Sequence, residues 1–338
     1  MFMGKSPTIV VIGASAGGVE AIRFITARLP ADFAAAVFIV LHVGAHKSQL
    51  PSLLNQEGPL PAVHAKNGAL ILTGHIYIAP PDHHLVIEPG HMLLTKGPRE
   101  NWARPAVDPL FRGAAQAYGP DVIGVILTGG LGDGTAGLHE IKERGGITVV
   151  QDPNDAADPG MPRSALRHVS IDHCLPLARI PELLVRLVAR KDAGILLDPT
   201  HPASARKRRQ GMTADYKLDQ PVAVTCPDCG GALRQTERGS LTQFTCHIGH
   251  VYTAEVMMAA QFAAMEWTLG ATMRSINERA ALCGQMADKA RTNDDTFAAA
   301  RWDAAAREAR ERTIVVRRLL EEEWTHPGDD EIAEPSGA

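Results

Sequence analysis

The sequence predicts an α/β protein. A three-layer α/β/α domain with a mostly parallel sheet and an added β-hairpin is followed by a small cysteine/histidine unit and a helical hairpin. Three observations predict it. From residue 8 to about residue 190, short apolar β-branched runs alternate with amphipathic segments; such strands belong to a parallel sheet covered by helices on both faces. Three of the five cysteines then cluster with histidines between residues 222 and 253. From Ala254 to about Glu323 the chain is rich in Ala, Glu and Arg, with apolar residues at helical spacing.

Thr8-Ile9-Val10-Val11-Ile12 is the first strand and runs into the Gly-rich turn Gly13-Ala14-Ser15-Ala16-Gly17-Gly18. Val19, Ile22, Ile25 and Leu29 mark a helix that Pro30 stops. Val37–Leu41, Asp121–Leu127 and Ile147–Val150 are further buried strands. His75–Ile78 and the pair Leu85–Ile87 and Met92–Leu94 are expected to be antiparallel, with Glu88-Pro89-Gly90-His91 as the hairpin turn. The catalytic-type domain thus spans 1–192, and 193–221 is a linker. The linker carries Arg206-Lys207-Arg208-Arg209, read as a solvated charge run, with a nucleic-acid or membrane contact as the alternative. The cysteine/histidine unit spans 222–253. In 254–325, Met258, Phe262, Met265, Leu269, Ile276, Ala280 and Cys283, then Trp302, Ala309, Val316 and Leu320, lie at spacings of three, four or seven. They predict two antiparallel helices, whose stripe is either a private core or a seam for a partner or second copy. The acidic end, 326–338, is expected to be disordered.

Composition narrows the function. The chain has 338 residues and a net charge of −4, with 45% hydrophobic and 21% charged residues. This is globular usage with no overall basic field, so no specific nucleic-acid partner is expected. No apolar run approaches the roughly 18 residues of a membrane span, and no secretory signal is visible. With cysteines at metal-ligand spacing rather than in a disulfide framework, the expected location is the cytoplasm.

The first turn fails as a dinucleotide site, because GxGxxG needs glycine where Ser15 stands. It fits Gly-x-Ser-x-Gly, in which flanking glycines lift a serine hydroxyl above the sheet edge at a helix N-terminus. Functional loops of an open parallel sheet gather at the carboxyl ends of its strands. His42 follows the second strand, and Asp133 follows the third in Leu127-Thr128-Gly129-Gly130-Leu131-Gly132-Asp133-Gly134. Ser15 as nucleophile, His42 as base and Asp133 as orienting carboxylate can therefore converge. Amides of the Gly129-Gly130-Leu131 turn, with that of Ala16, are candidate oxyanion donors. Each residue has a plainer alternative. Ser15 can cap the first helix, Asp133 can cap the helix near Thr135, and His46 competes with His42. Asp108 before Pro109 reads as a helix N-cap. The chain order Ser, His, Asp disfavours the α/β-hydrolase fold.

The same turn, with His75-Ile76-Tyr77-Ile78-Ala79-Pro80, Arg104-Pro105-Ala106-Val107-Asp108, Leu127-Thr128-Gly129 plus Asp133-Gly134, and Gly160-Met161-Pro162, resembles the CheB-type protein-glutamate methylesterases of bacterial chemotaxis. The resemblance covers roughly residues 8–190. It implies the three-layer fold with an added hairpin and a triad at Ser15, His42 and Asp133. It implies hydrolysis of glutamate methyl esters on chemoreceptors, deamidation of receptor glutamines in some members, and no cofactor for catalysis. It supports Arg104 and His84 as lining of the substrate cleft. The chain departs from the family at Val43-Gly44, where Met-Pro is common, and at Gly130, where Met is common. The first strand begins at Thr8, which leaves no room for the receiver domain usual in the family, so no phosphorylation gate is expected.

Cys226-Pro227-Asp228-Cys229 is a CxxC knuckle, and Cys246 follows after sixteen intervening residues with His247 and His250 close behind. Three thiolates and one imidazole predict a closed, structural zinc site of Cys226, Cys229, Cys246 and His250, with His247 as the alternative fourth ligand. Similar units with helical tails occur behind some receiver-less methylesterase-like domains, which implies a docking or assembly role. Cys174 and Cys283 are expected to be buried apolar residues. Three functions follow: a methylesterase-type serine hydrolase, a signalling scaffold acting through its zinc unit and hairpin, or a serine esterase for another ester.

Overall fold

The computed structural model describes residues 7–42, 48–192 and 221–322. Val43-Gly44, His46, the basic run Arg206–Arg209 and the acidic tail lie outside the described residues.

The first part of the chain builds β1 (Thr8–Ala14), α1 (Gly18–Thr26), β2 (Ala35–Leu41), α2 (Leu50–Glu57), β3 (Ala62–His64), β4 (Ile76–Ile78), β5 (His84–Glu88), β6 (His91–Thr95) and α3 (Val107–Tyr118). It continues through β7 (Val122–Ile126), α4 (Thr135–Glu143), β8 (Ile147–Gln151), α5 (Gly160–His168), β9 (His173–Leu175) and α6 (Ile180–Asp192). Seven strands form one sheet in the order β3-β4-β2-β1-β7-β8-β9, and each named pairing in it is parallel. Every residue of β1 and β2 is buried, because successive side chains point to opposite faces and both faces are covered. Val10, Ile12, Val37 and Ile39 join one core with Ile22 and Leu184. Ile9, Val11 and Phe38 join the other with Leu85, Leu110 and Phe111.

The three-layer α/β architecture with an added β-hairpin is therefore present. β5 and β6 pair antiparallel across Pro89-Gly90, with Gly90 at φ 82. One expectation is corrected: Ile76–Ile78 is not antiparallel but pairs in parallel with both β2 and β3. Three buried residues carry no periodicity from which strand direction can be read. The sequence reading also passed over β3 and β9, each of three residues.

Beyond residue 220, β10 (Pro221–Thr225), β11 (Ala232–Arg238), β12 (Leu241–Cys246) and β13 (Val251–Thr253) form a four-stranded antiparallel sheet. This sheet belongs to the same compact unit as the parallel sheet, Met1–Met257. Its last strand reaches the loop before α3: the Asn101 amide donates to the Val251 carbonyl at 2.7 Å, and the Val251 amide to the Arg99 carbonyl at 3.4 Å.

The second unit, Met258–Ala338, contains most of α7 (Ala254–Thr292) and all of α8 (Thr296–Glu321). Asp295 caps α8 by accepting from the Ala298 amide at 2.9 Å, as N-cap carboxylates do. Thr313 donates to Asn277 at 2.9 Å, and Arg291 pairs with Asp303, so the helices run antiparallel. Small residues make the close seam: Ala280, Cys283, Ala287, Ala306 and Ala309 are buried. Met258 and Trp302, expected in the stripe, are exposed instead. Cys174 is likewise exposed, whereas Cys283 is buried as expected.

Candidate active site and metal centre

Ser15 sits where β1 ends and α1 is about to begin. Its amide donates to the Thr128 carbonyl at 2.9 Å, and its own carbonyl accepts from Gly18 at 2.8 Å. Gly17 at φ 72 takes the left-handed N-cap position at no steric cost. Glycine is also required at Gly129, where a Cβ would stand 2.3 Å from Met161 Sδ and 2.7 Å from Ser15 Cβ. His42 continues the β1–β2 ladder by one residue, its amide donating to the Ala14 carbonyl at 3.2 Å. Ser15 and His42 therefore leave adjacent strands at the same sheet edge.

His42 Nε2 lies 2.7 Å from Asp133 Oδ2. Asp133 is buried and also accepts from the Val107 amide (2.6 Å), the Asp108 amide (3.3 Å) and Asn101 Nδ2 (2.9 Å). Burial opposes its charge. The hydrogen bond and charge of His42, with the Val107 and Asn101 donors, outweigh burial and hold the carboxyl below the usual carboxylate range. His42 Nδ1 is the ring nitrogen left for another partner. No hydrogen bond joins it to the Ser15 hydroxyl among the described residues, and catalytic hydrogen bonds in unliganded sites often tighten only with substrate bound.

A second carboxylate lies beside the first. Asp108 is fully buried and accepts from Asn101 Nδ2 and the Gly137 amide, both at 2.7 Å. Burial, then the Asp133 charge, pushes its carboxyl up to about 7. The capping roles expected from the sequence are thus exchanged. Ala106, not Asp108, is the N-cap of α3, and it is Asp133 that receives that helix's first amides. Asp108 lies inside the first turn of α3 and meets the start of α4 instead.

Of the candidate oxyanion donors, the Gly129 amide is committed to the Asp158 carbonyl at 2.9 Å. The amides of Ala16 and Gly130 have no acceptor among the described residues. Two expected cleft residues are struts. Arg104 donates to Asp82 (2.6 and 2.9 Å) and to the Gly97 carbonyl (2.8 Å). His84 is buried, with Nε2 2.9 Å from the Pro98 carbonyl and Nδ1 accepting from the Ala106 amide at 3.2 Å. With both ring nitrogens engaged, it braces the loop between β6 and α3. Sequence reasoning missed Asn101, whose one amide group touches both carboxylates. Its backbone has φ 49, and asparagine tolerates that left-handed region better than most residues; nothing else in the sequence marked it.

In the antiparallel sheet, one donor atom each from Cys226, Cys229, Cys246 and His250 lies within 4.8 Å of all the others. Cys229 Sγ is 3.7 Å from Cys246 Sγ, and His250 Nδ1 is 3.6 Å from Cys226 Sγ and 3.4 Å from Cys246 Sγ. A tetrahedral ion with metal–sulfur bonds of about 2.3 Å spaces its sulfurs about 3.8 Å apart, so the set fits such an ion. The His250 amide points at Cys246 Sγ (3.3 Å), and Tyr252 Oη approaches Cys226 Sγ (3.4 Å). These contacts give the thiolates the outer hydrogen bonding that metal sites carry. His250, not His247, completes the set; His247 packs over Gly231.

Fold and site together define a three-layer α/β protein with a serine turn beside a histidine–carboxylate pair at the carboxyl edge of its sheet. The chain belongs to the CheB methylesterase family, whose sequence profile matches residues 10–184, just over half of its length. It is 42% identical over 180 residues to a Leptospira interrogans protein described as a candidate protein-glutamate methylesterase/protein-glutamine glutaminase, covering 53% of this chain and 93% of that one. It is 37% identical over 195 residues to the protein-glutamate methylesterase/protein-glutamine glutaminase of Hydrogenovibrio crunogenus, covering 56% of this chain and 51% of that one. The crystal structure of the Thermotoga maritima CheB methylesterase catalytic domain superposes with a TM-score of 0.53 at 35% identity, covering 54% of this chain and 99% of that domain.

Proposed function

We propose that this chain is a serine hydrolase that demethylates glutamate methyl esters, and deamidates glutamines, on chemoreceptor-type signalling proteins. The observation that carries the reading is the 2.7 Å His42–Asp133 contact, with His42 following β2, the strand next to the one that Ser15 follows. Ser15 Oγ attacks the ester carbonyl while His42 takes its proton. Asp133, held ionised, stabilises the imidazolium that forms. The amides of Ala16 and Gly130, which have no acceptor among the described residues, receive the carbonyl oxygen as it gains charge. His42 returns the proton to the departing methoxide, releasing methanol. Water, activated by the same histidine, then hydrolyses the acyl-serine to free glutamate and serine. With a glutamine side chain, ammonia leaves in place of methanol. The chemistry calls on side chains, backbone amides and water, with no cofactor in any step.

The Cys226, Cys229, Cys246 and His250 set is assigned to a structural zinc ion. With four protein ligands such an ion would have no open position for substrate, and it would tie strands of the small sheet together. Among the described residues no helix is long and apolar enough to cross a membrane. The cytoplasm, where receptor methylation sites lie in such a scheme and thiolates stay reduced, is the assigned location. One observation favours an additional role as a docking or self-associating protein: Trp267, Phe297 and Val315 of the helical unit are strongly exposed.

Methanol release from membranes bearing methylated chemoreceptors tests the reading, wild type beside Ser15→Ala. The variant is expected to lose on the order of 10⁴–10⁶ in turnover. Release that persists in Ser15→Ala would remove Ser15 as nucleophile. No release from the wild type, combined with turnover of a generic ester, would move the substrate assignment and leave the triad standing.

A further inference from the structure

The small sheet does more than sit beside the parallel one. Its last strand, β13, follows directly on the ligand residue His250, and two of its residues grip Asn101. The Asn101 amide donates to the Val251 carbonyl at 2.7 Å, and Asn101 Oδ1 accepts from the Thr253 amide at 3.0 Å. Asn101 and Thr253 are both buried. On its other side, Asn101 Nδ2 gives one hydrogen to Asp133 at 2.9 Å and one to Asp108 at 2.7 Å. All the hydrogen-bonding capacity of this amide except one oxygen lone pair is therefore used. The grip fixes which way it faces, since Oδ1 can meet the Thr253 donor only while Nδ2 faces the carboxylates. The chain of contacts from metal donors to base is short: Cys246 and His250, then β13, then Asn101, Asp133 and His42.

We propose that Asn101 is a positioning residue for Asp133 and that the Cys/His unit, by holding Asn101 through β13, is a working part of the hydrolase site. Loading of the metal set then governs how firmly Asp133 faces His42. The proposal rests on the hydrolase reading for its consequence in catalysis, although the positioning itself can be observed without turnover.

Two measurements on the full chain test it. The first is the rate at which a fluorophosphonate labels Ser15, followed across pH, with Ser15→Ala as the blank. The groups around Asp133 that bear on this profile are His42, Asp108 and, beyond Asp108, Arg112 with its partner Glu100. Asn101→Ala is expected to label about 10- to 100-fold more slowly, with the acid limb moved up by about half to one pH unit. An Asp133 with one donor fewer attracts the imidazolium proton more strongly. Thr253→Pro removes the donor to Oδ1 and keeps Asn101; it is expected to move the limb the same way by less. Arg238→Ala removes a different contact made by the small sheet, that of Arg238 with Glu140 of α4 at 3.7 Å, and is expected to leave the limb in place.

The second measurement is the downfield proton resonance of the His42–Asp133 hydrogen bond, recorded with the metal loaded and after chelation. It should broaden or shift on chelation and in Asn101→Ala. Wild-type protein that resists labelling would count against the hydrolase reading, and the resonance would still decide the positioning. An Asn101→Ala protein that retains its melting temperature and metal content, with an unmoved acid limb and an unmoved resonance, would overturn the proposal. So would a wild-type resonance indifferent to chelation.

Discussion

Phe38 and Tyr252 are both fully buried aromatic residues in strands, and they are held by opposite means. Phe38 stacks on Tyr77 with ring centroids 5.1 Å apart inside a continuous apolar layer of strands, hairpin and helix. Tyr252 packs in a core of only Cys226, Leu233, Cys246, Val256 and Met257 with a few half-buried neighbours. Its hydroxyl goes to Cys226 Sγ at 3.4 Å and Asp228 Oδ2 at 2.9 Å. The parallel sheet is built on apolar burial, whereas the small sheet is organised around its cysteines. A core that small rarely suffices without a metal or a disulfide. Each sheet is therefore vulnerable to a different perturbation, the small one to loss of its metal and the large one to loss of apolar volume.

Metal removal should produce the largest effect. Apparent binding energies of structural zinc are about 10–16 kcal/mol, and in small domains that energy is folding energy. Chelation of the loaded protein is expected to expose β11 and β12 to rapid amide hydrogen exchange, while β1, β2 and β7 keep their protection. Equal loss in both sheets, or loss in neither, would mean that the small sheet does not depend on its cysteines more than the large one does.

The complementary perturbation is Phe38→Ala, which empties volume between the parallel sheet and the layer over it. A buried Phe→Ala change costs about 3–5 kcal/mol. Urea unfolding should show that loss in the main transition, with metal content unchanged. A metal-dependent loss would mean that the two cores act as one.

Much of this was legible in the sequence because it is local. Continuous β-branched runs announced β1, β2, β7 and β8. The positions of His42 and Asp133 after strands named two side chains that the fold brings within 2.7 Å of each other. The CxxC spacing, with Cys246 and His250 behind it, named four donor residues that cluster in the fold. What was not legible depends on partners distant in the chain. Arg104 and His84 are polar residues near a cleft in sequence terms, and only the fold shows Asp82, Pro98 and Ala106 occupying them. The exchange of roles between Asp108 and Asp133 depends on two helices starting side by side, which no spacing rule encodes. Asn101 meets Thr253 across 152 positions, so neither residue carries a sign of the other. The direction of β4 was lost for a simpler reason, since three buried residues read alike in either orientation.

Asp108 and Asp133 differ from each other on a finer scale, and the effect of changing Asp108 is expected to be the smallest. One amide touches both, yet Asp133 has His42 and stays ionised, whereas Asp108 has no ion-pair partner among the described residues and, buried beside Asp133, is pushed up to about 7 from 3.8 despite the charge of Arg112. Between those two values the folded chain holds a proton that the unfolded chain has released. Asp108 therefore contributes stability that is fully present below about pH 4 and is lost as pH rises through about 7. Asp108→Asn cannot ionise, so its stability relative to wild type should rise across that window, by about 1–4 kcal/mol in all. A constant offset of about 1–3 kcal/mol accompanies it, because an asparagine cannot accept from both Asn101 and Gly137. The slope is the quantity to read, from urea midpoints at pH 4.5, 6 and 7.5. A difference between the two proteins that does not vary with pH would mean that Asp108 is ionised in the fold. The Asn101 amide would then be holding two charges rather than one.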